Sequence, residues 1–154
     1  MIVGTHDAVA RAGARVKELG ARRVMPLPVS APFHCALMAP AQARLEPELR
    51  ELIISDPKVP IIANVDAKAK LDGVASINAL VSQVSAPVLW ESVVRELSSS
   101  GVDTYVEVGP GTVLSGLVRK IDRHAVTLSV GDPEGVTALE TLVSNHSPVD
   151  KIDD

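Results

Sequence analysis

The amino-acid sequence predicts an α/β fold. Short β-like runs alternate along the chain with stretches whose apolar residues recur at helical spacing. Apolar residues make up 46% of the 154 residues and aromatic residues only 2%, so the core must be aliphatic. A Gly-Pro-Gly turn at residues 109–111 leads sharply from a β-like run into a helical one. A chain of this length can bury one ordinary core.

The N-terminal residues predict a β-α-β unit. Residues 2–4 form a short β-like stub, and residues 24–28 form a second β-like run after a helix at about residues 6–19. Gly20 follows that helix as a natural stop. The apolar face of the helix consists of Val9, Ala12, Val16 and Leu19. Strands connected through one helix usually lie in one sheet.

A long helix is predicted over residues 37–54, with an apolar strand after it at residues 59–65. Pro40 falls in the first turn of the helix, where proline is tolerated, whereas Pro47 is interior and should kink it. The side chains expected to face inward are Leu45, Leu49, Leu52 and Ile53. The continuous apolar character of residues 59–65 is typical of a buried strand.

The rest of the chain continues the alternation. Ser76 fits the N-cap of a helix that Pro87 ends. The later elements are a helix at about residues 90–97, a strand at 104–108, a helix at 113–121, a strand at 125–130 and a helix at 136–143. Residues 145–154 are polar and acidic, and we expect them to form a disordered tail.

Composition and charge exclude several classes of function. The formal net charge is −4 and no dense Lys/Arg cluster occurs, so no nucleic-acid partner is expected. No apolar stretch has membrane-spanning length, no signal peptide is expected, and the single cysteine, Cys35, fits a reducing compartment. The histidines lack metal-ligand spacing, so no metal site is expected. We therefore expect a cytoplasmic protein that contacts neither membranes nor nucleic acids.

His34 is the strongest candidate for chemistry. It follows Pro32 in the run V-S-A-P-F-H-C-A-L-M, residues 29–38, between a predicted strand and a predicted helix. Proline removes a backbone donor and favours an extended conformation at Ala31, so this loop should be stiff. The imidazole group titrates near neutral pH and can act as a general base. The alternative is a structural or solvated histidine.

A general base needs a nucleophile, and the residues do not supply an obvious one. The G-x-S-x-G elbow is absent, because Val113 takes the glycine position that should precede Ser115. Cys35 is next to His34, but adjacent side chains usually diverge, so a small buried thiol is the simpler interpretation. The strand-to-helix turn at residues 107–117 can present backbone N–H groups to an anion, although its glycines also suit close helix–sheet packing.

Four segments of the chain carry motifs that, taken together and in this order, resemble those of one known enzyme family. They are P-L-P-V-S-A-P-F-H-C-A-L-M (26–38), V-P-I-I-A-N-V-D (59–66), Q-V-S-A-P-V-L-W (83–90) and V-E-V-G-P-G-T-V-L-S-G-L-V (106–118). From residue 1 to about residue 142 the chain resembles the C-terminal half of the malonyl-CoA:acyl-carrier-protein transacylase family. The resemblance implies that residues 29–144 are the C-terminal part of an α/β-hydrolase-like acyltransferase subdomain. Residues 1–28 would be a partial ferredoxin-like β-α-β piece that closes the small subdomain.

The resemblance also implies a site. His34 matches the catalytic base, and Gln83 matches the residue whose backbone carbonyl orients it. Phe33 and Asn64 match positions near the substrate, and the bulk of Phe33 favours malonyl over methylmalonyl groups. The implied reaction is malonyl transfer from malonyl-CoA, a substrate, to acyl carrier protein, with no bound cofactor.

The family's serine elbow, oxyanion segment and carboxylate-binding arginine have no match in this sequence. We therefore expect the chain to be inactive alone, to supply the base to a complementary N-terminal half, and to be unstable or self-associating alone. A truncated gene, a misplaced start codon and a split enzyme are all compatible with this pattern. The second hypothesis is a non-catalytic fragment or carrier-protein-binding module. A third is an independent hydrolase that uses Cys35 or Ser115.

Overall fold

A computed structural model describes residues 2–146 and confirms the α/β class. The chain divides into two compact units, the first ending at Val93 and the second beginning at Val94. None of the helices in the described range is both long enough and apolar enough to cross a membrane.

The first unit combines helices with a small antiparallel sheet. Its elements are α1 (His6–Glu18), α2 (Ala39–Glu51), β1 (Ile61–Ile62), β2 (Ala69–Lys70), α3 (Gly73–Gln83) and the start of α4 (Trp90–Ser99). A 3-10 turn at Ala36–Met38 leads into α2, and α2 packs on α3. The buried apolar side chains among its described residues are Ala63, Ile77, Ala79, Val81 and Val93. This core is aliphatic, as the composition predicts.

The second unit is built on a parallel strand pair. Its elements are the rest of α4, β3 (Thr104–Val108), α5 (Val113–Ile121), β4 (Val126–Val130) and α6 (Pro133–His146). The register of the two strands runs from Thr104 opposite Val126 to Val108 opposite Val130. Parallel strands need a crossover connection, and α5 provides it. α6 packs on β4.

Several predicted elements are confirmed. The helices predicted at 6–19, 90–97 and 113–121 and the strands at 104–108 and 125–130 all form within two residues of their predicted ends. Gly20 follows α1 with φ +95°, a left-handed conformation that glycine adopts without strain. α6 is longer than predicted and includes residues 145 and 146. The rest of the predicted tail lies outside the described residues.

The N-terminal β-α-β prediction is wrong for the described residues. Neither residues 2–4 nor residues 24–28 form a strand. Pro26 and Pro28 lack the backbone N–H that a strand ladder requires, and a β-like run forms a strand only where a partner pairs with it.

The strand predicted over residues 59–65 is reduced to β1. The chain turns at once, because the Ala63 N–H donates to the Lys68 carbonyl (3.3 Å) and the Ala67 N–H donates to the Ala63 carbonyl (2.9 Å). β1 then pairs antiparallel with β2, a strand that the sequence analysis did not predict. Val59 is 70% exposed whereas Ala63 is buried, so the run is only partly buried and not a fully buried strand.

The helix predictions in the first unit also need correction. Of the side chains expected to face inward from α2, Leu49 is half-buried but Leu45, Leu52 and Ile53 are exposed. The N-cap of α3 is Asp72, whose carboxylate accepts the Ala75 N–H at 2.7 Å, and not Ser76. A carboxylate is as good an N-cap as a hydroxyl, and here it begins the helix one turn earlier.

Candidate active site

His34 lies on a turn with an unusual backbone. Its φ is +60°, in the left-handed region that few residues other than glycine adopt. The Cys35 thiol donates to the Pro32 carbonyl (S···O 3.2 Å), and the Phe33 N–H donates to the Ala31 carbonyl (2.9 Å). These local bonds hold the turn that carries His34. Non-glycine residues in such conformations concentrate at functional sites, where the surrounding structure maintains them.

The imidazole of His34 is held by the end of a helix. Its Nδ1 is 3.2 Å from the backbone oxygen of Gln83, the last residue of α3. The last carbonyls of a helix lack intrahelical partners, so this oxygen is free to accept. Because a carbonyl can only accept, Nδ1 carries the hydrogen and Nε2 of the neutral ring is left as the proton acceptor. The Ser85 hydroxyl donates to the Gln42 side chain, which ties the segment after α3 to α2.

A surface cavity of about 230 Å³ adjoins Gln83. Its polar lining residues are Asn64, Lys70, Ser76 and Gln83, and the remainder are Ile61, Ile62, Ala63, Ala79 and Leu80. Asn64 lies two residues after β1 and is half-buried. Its backbone carbonyl accepts the Leu89 N–H at 2.9 Å. Phe33 is 45% exposed and does not line this cavity. The structure therefore brings His34 to Gln83, and Asn64 to a cavity that Gln83 also lines.

The candidate nucleophiles of the chain are engaged elsewhere. Cys35 directs its thiol to Pro32, whereas the neighbouring imidazole bonds Gln83, so the two side chains diverge as expected. Ser115 is only 3% exposed, and its hydroxyl lies 3.0 Å from that of Ser129. No histidine is a hydrogen-bond partner of either group among residues 2–146. This geometry argues against the independent hydrolase.

The Gly-Pro-Gly turn has a structural role. The Glu107 carboxylate accepts the N–H of Leu114 (3.0 Å) and of Ser115 (2.8 Å), two donors in the first turn of α5. Hydrogen bonds from the side chain and the backbone of Ser115 lower the pKa of Glu107. Gly109 and Gly111 adopt φ values of +131° and +93°, which require glycine. Two of the donors that an anion would need are already used by Glu107, which favours the packing interpretation of this turn.

Lys70 is the residue near the site that the sequence analysis missed. It is 9% exposed and lines the cavity beside Asn64. Asp66 and Lys70 are four residues apart in the run D-A-K-A-K, and this spacing could have indicated the ion pair that they form in the structure. Within residues 2–146 no group of three or more His, Cys, Asp or Glu residues could hold a metal ion.

A histidine whose Nδ1 is held by a fixed acceptor and whose Nε2 is left free has the geometry of a general base in enzymes that activate a nucleophile. No family model matches the chain. The chain is 43% identical to the malonyl CoA-acyl carrier protein transacylase of Salmonella typhimurium over 141 residues, which cover 92% of the chain and 46% of that relative.

Solved structures agree with this relationship. The acyl carrier protein S-malonyltransferase of Vibrio cholerae matches 88% of the chain and 44% of its own length, with 44% identity and a TM-score of 0.82. A malonyl-transacylase in complex with its type II polyketide synthase acyl-carrier protein matches 90% of the chain and 45% of its own length, with 40% identity and a TM-score of 0.83. The chain is therefore homologous to the malonyl CoA-acyl carrier protein transacylases, and the family resemblance is confirmed. It spans a little less than half the length of these relatives.

Proposed function

We propose that this chain supplies the histidine base of a malonyl transacylase, which moves malonyl groups from malonyl-CoA to the phosphopantetheine thiol of acyl carrier protein. The observation that carries the proposal is the 3.2 Å contact between His34 Nδ1 and the Gln83 carbonyl. It joins two of the four segments that match the family. The 43% identity to a malonyl transacylase over 141 residues supports the choice of reaction.

The proposed chemistry uses one proton acceptor twice. A serine hydroxyl from the complementary half attacks the thioester carbonyl of malonyl-CoA and gives its proton to Nε2 of His34. The carbon–sulfur bond breaks, and the coenzyme A sulfur leaves with that proton. The phosphopantetheine thiol then gives its proton to Nε2, its sulfur attacks the malonyl ester, and the serine oxygen leaves with the proton. The Gln83 carbonyl keeps the ring in the tautomer that both steps need.

Other parts of the proposal come from the family resemblance. Phe33 would restrict branched acyl groups beside the base, and Asn64 would present a polar side chain to the substrate. The serine and an arginine for the malonyl carboxylate would come from the complementary half, and no bound cofactor would be needed. Residues 1–28 would belong to a small ferredoxin-like subdomain and residues 29–144 to the large, hydrolase-like one. The protein would act in the cytoplasm.

Intact-protein mass spectrometry tests the proposal directly. Malonyl transfer from malonyl-CoA to holo acyl carrier protein is measured with the chain alone, then with a separately expressed N-terminal half of a malonyl transacylase. We expect transfer only in the mixture. His34→Ala should lower its rate by roughly 10²–10⁴-fold, the usual contribution of a general base. His6→Ala, which removes an exposed histidine of α1, is the matched control and should leave the rate unchanged.

The other outcomes decide against the proposal. Unaltered transfer by the His34→Ala mixture would show that the base is assigned wrongly. Transfer by the chain alone would mean that it contains its own nucleophile, and Cys35 would be the first residue to replace. If the mixture is silent but the chain binds holo acyl carrier protein, the carrier-protein-binding module is the better hypothesis. One matching solved structure is a malonyl-transacylase in complex with an acyl-carrier protein, which gives that alternative its support.

A further inference from the structure

Lys70 is a buried cation beside the candidate site. It ends β2 opposite Ile61, and its side chain is 11% exposed. The Nζ atom donates to both carboxylate oxygens of Asp66, at 2.7 and 2.9 Å, and to the Lys68 carbonyl at 3.2 Å. A lysine ammonium has three donors, and these bonds use all of them. Lys70 is therefore not available to bind an anionic substrate, although it lines the cavity.

The ion pair closes the turn between β1 and β2. Asp66 Oδ1 also accepts the Lys68 N–H at 3.1 Å, and the hydrogen bonds from Lys70 and Lys68 lower the pKa of Asp66. Ala67, at the centre of the turn, has φ +53°, a strained value for a residue with a Cβ. The bonds to Asp66 hold the chain in this conformation.

The closed turn connects Lys70 to Asn64. Both residues line the cavity that Gln83 also lines. The backbone carbonyl of Asn64 accepts the Leu89 N–H at 2.9 Å, so the start of the turn is also bonded to the segment before α4. A change in the turn would displace Asn64 relative to Gln83, whose carbonyl holds the candidate base.

We propose that Lys70 and Asp66 are positioning residues, whose ion pair holds Asn64 at the cavity wall beside Gln83. The catalytic consequence rests on the proposed function. The positioning itself is a property of the free chain and is measured without catalysis. Lys70 is buried, whereas the Asp66 side chain is 39% exposed. Without Lys70 the turn loses the bonds that hold Asp66, and without Asp66 the buried ammonium is left without compensation.

Amide hydrogen exchange of Leu89 in the full chain is the first test. Lys70→Met keeps the aliphatic stem but removes the charge, and it should speed exchange of this amide ~10-fold or more, because the turn opens locally. Lys68→Met removes an exposed lysine of the same turn and is the matched control, with a change below ~2-fold. Lys70→Arg can pair again with Asp66 and should restore slow exchange. If Lys70→Met does not fold, Asp66→Asn breaks the same ion pair from its exposed side and is compared with Lys68→Met in the same way.

The second measurement is catalytic. In the mixture with the N-terminal half, Lys70→Met should raise the KM for malonyl-CoA ~10-fold and change kcat less than ~2-fold, because substrate placement suffers and the base does not. Equal exchange rates at Leu89 in the Lys70→Met and Lys68→Met chains would overturn the positioning role. A loss of kcat at constant KM would also contradict it. A wild-type mixture without transfer would refute the proposed function, while the exchange comparison would still decide the role of the ion pair.

Discussion

Replacing His34 by glycine should leave the protein more stable than replacing it by alanine. Both substitutions remove the ring and its bond to the Gln83 carbonyl, so this loss cancels in the comparison. Alanine keeps the penalty of a Cβ at φ +60°, about 1–2 kcal/mol. Glycine avoids it but gives the unfolded chain extra freedom that costs about 0.4–1 kcal/mol. From the midpoints of these ranges, the net difference in the free energy of unfolding is about 0.8 kcal/mol in favour of glycine.

Urea unfolding of the two variants measures this difference, and the adjacent residue provides the control. Phe33 is exposed and does not have a positive φ. At that position the order should be reversed, with Phe33→Ala more stable than Phe33→Gly by about 0.4–1 kcal/mol. If alanine is the more stable substitution at both positions, the backbone of His34 is not left-handed, and the argument for strain at the candidate base fails.

Four further predictions each rest on the surroundings of one residue. Cys35→Ala should release the turn and broaden or split the ring-nitrogen NMR signals of His34, whereas Cys35→Ser keeps a donor and should preserve them. The lowered pKa of Glu107 contributes stability that is present above its ordinary value of 4.5 and is lost as the pH falls through the folded-state value, so Glu107→Gln should remove this acid dependence from urea midpoints. Gly135→Ala places a Cβ 2.8 Å from a backbone oxygen and should lower the free energy of unfolding by about 1–3 kcal/mol. Gly116→Ala, a helical position with open space, should raise it by about 0.5–1 kcal/mol in thermal unfolding.

The second unit was predictable from sequence because its signals are local. β3 and β4 are short apolar runs of strand length, and the Gly-Pro-Gly turn marks the junction with α5. The two strands are joined through one helix, so the sequence order itself indicates their pairing. α6 extends three residues beyond its predicted range at each end. The C-terminal extension was missed because residues 144–146 are polar, and polarity does not end a helix that is already formed.

The first unit was less predictable because its strands depend on partners far along the chain. Residues 24–28 have β-like composition, but composition does not say whether another strand pairs with them. β2 is only two residues long and includes a lysine, so neither length nor hydrophobicity marks it. Lys70 is buried because an ion pair closes its turn, and a pattern of apolar residues carries no information about such a bond.

The contact that defines the candidate site also could not be predicted from local sequence patterns. His34 and Gln83 are 49 residues apart, and the accepting group is a backbone carbonyl, which every residue has. No spacing rule could select Gln83, and the family resemblance did so. Pro32 predicts a stiff histidine loop, but nothing in the sequence predicted the left-handed backbone of His34, because residues other than glycine adopt it in only a few per cent of cases.

The contacts that hold the candidate base all lie within the first compact unit. The turn of His34, the end of α3 and the hairpin with the Lys70–Asp66 pair are bonded to one another or line one cavity inside residues 2–93. An oriented base and a polar cavity wall are therefore built locally, whereas Ser115, a candidate nucleophile by residue type, is buried against Ser129 in the second unit. Under the proposed function, a half-site with an oriented base would need a serine hydroxyl and a carboxylate-binding arginine from a partner, and pre-organisation of the base lowers the cost of assembling the catalytic geometry. This is the physical reason why the proposed function predicts activity from a mixture of the two halves and not from this chain alone.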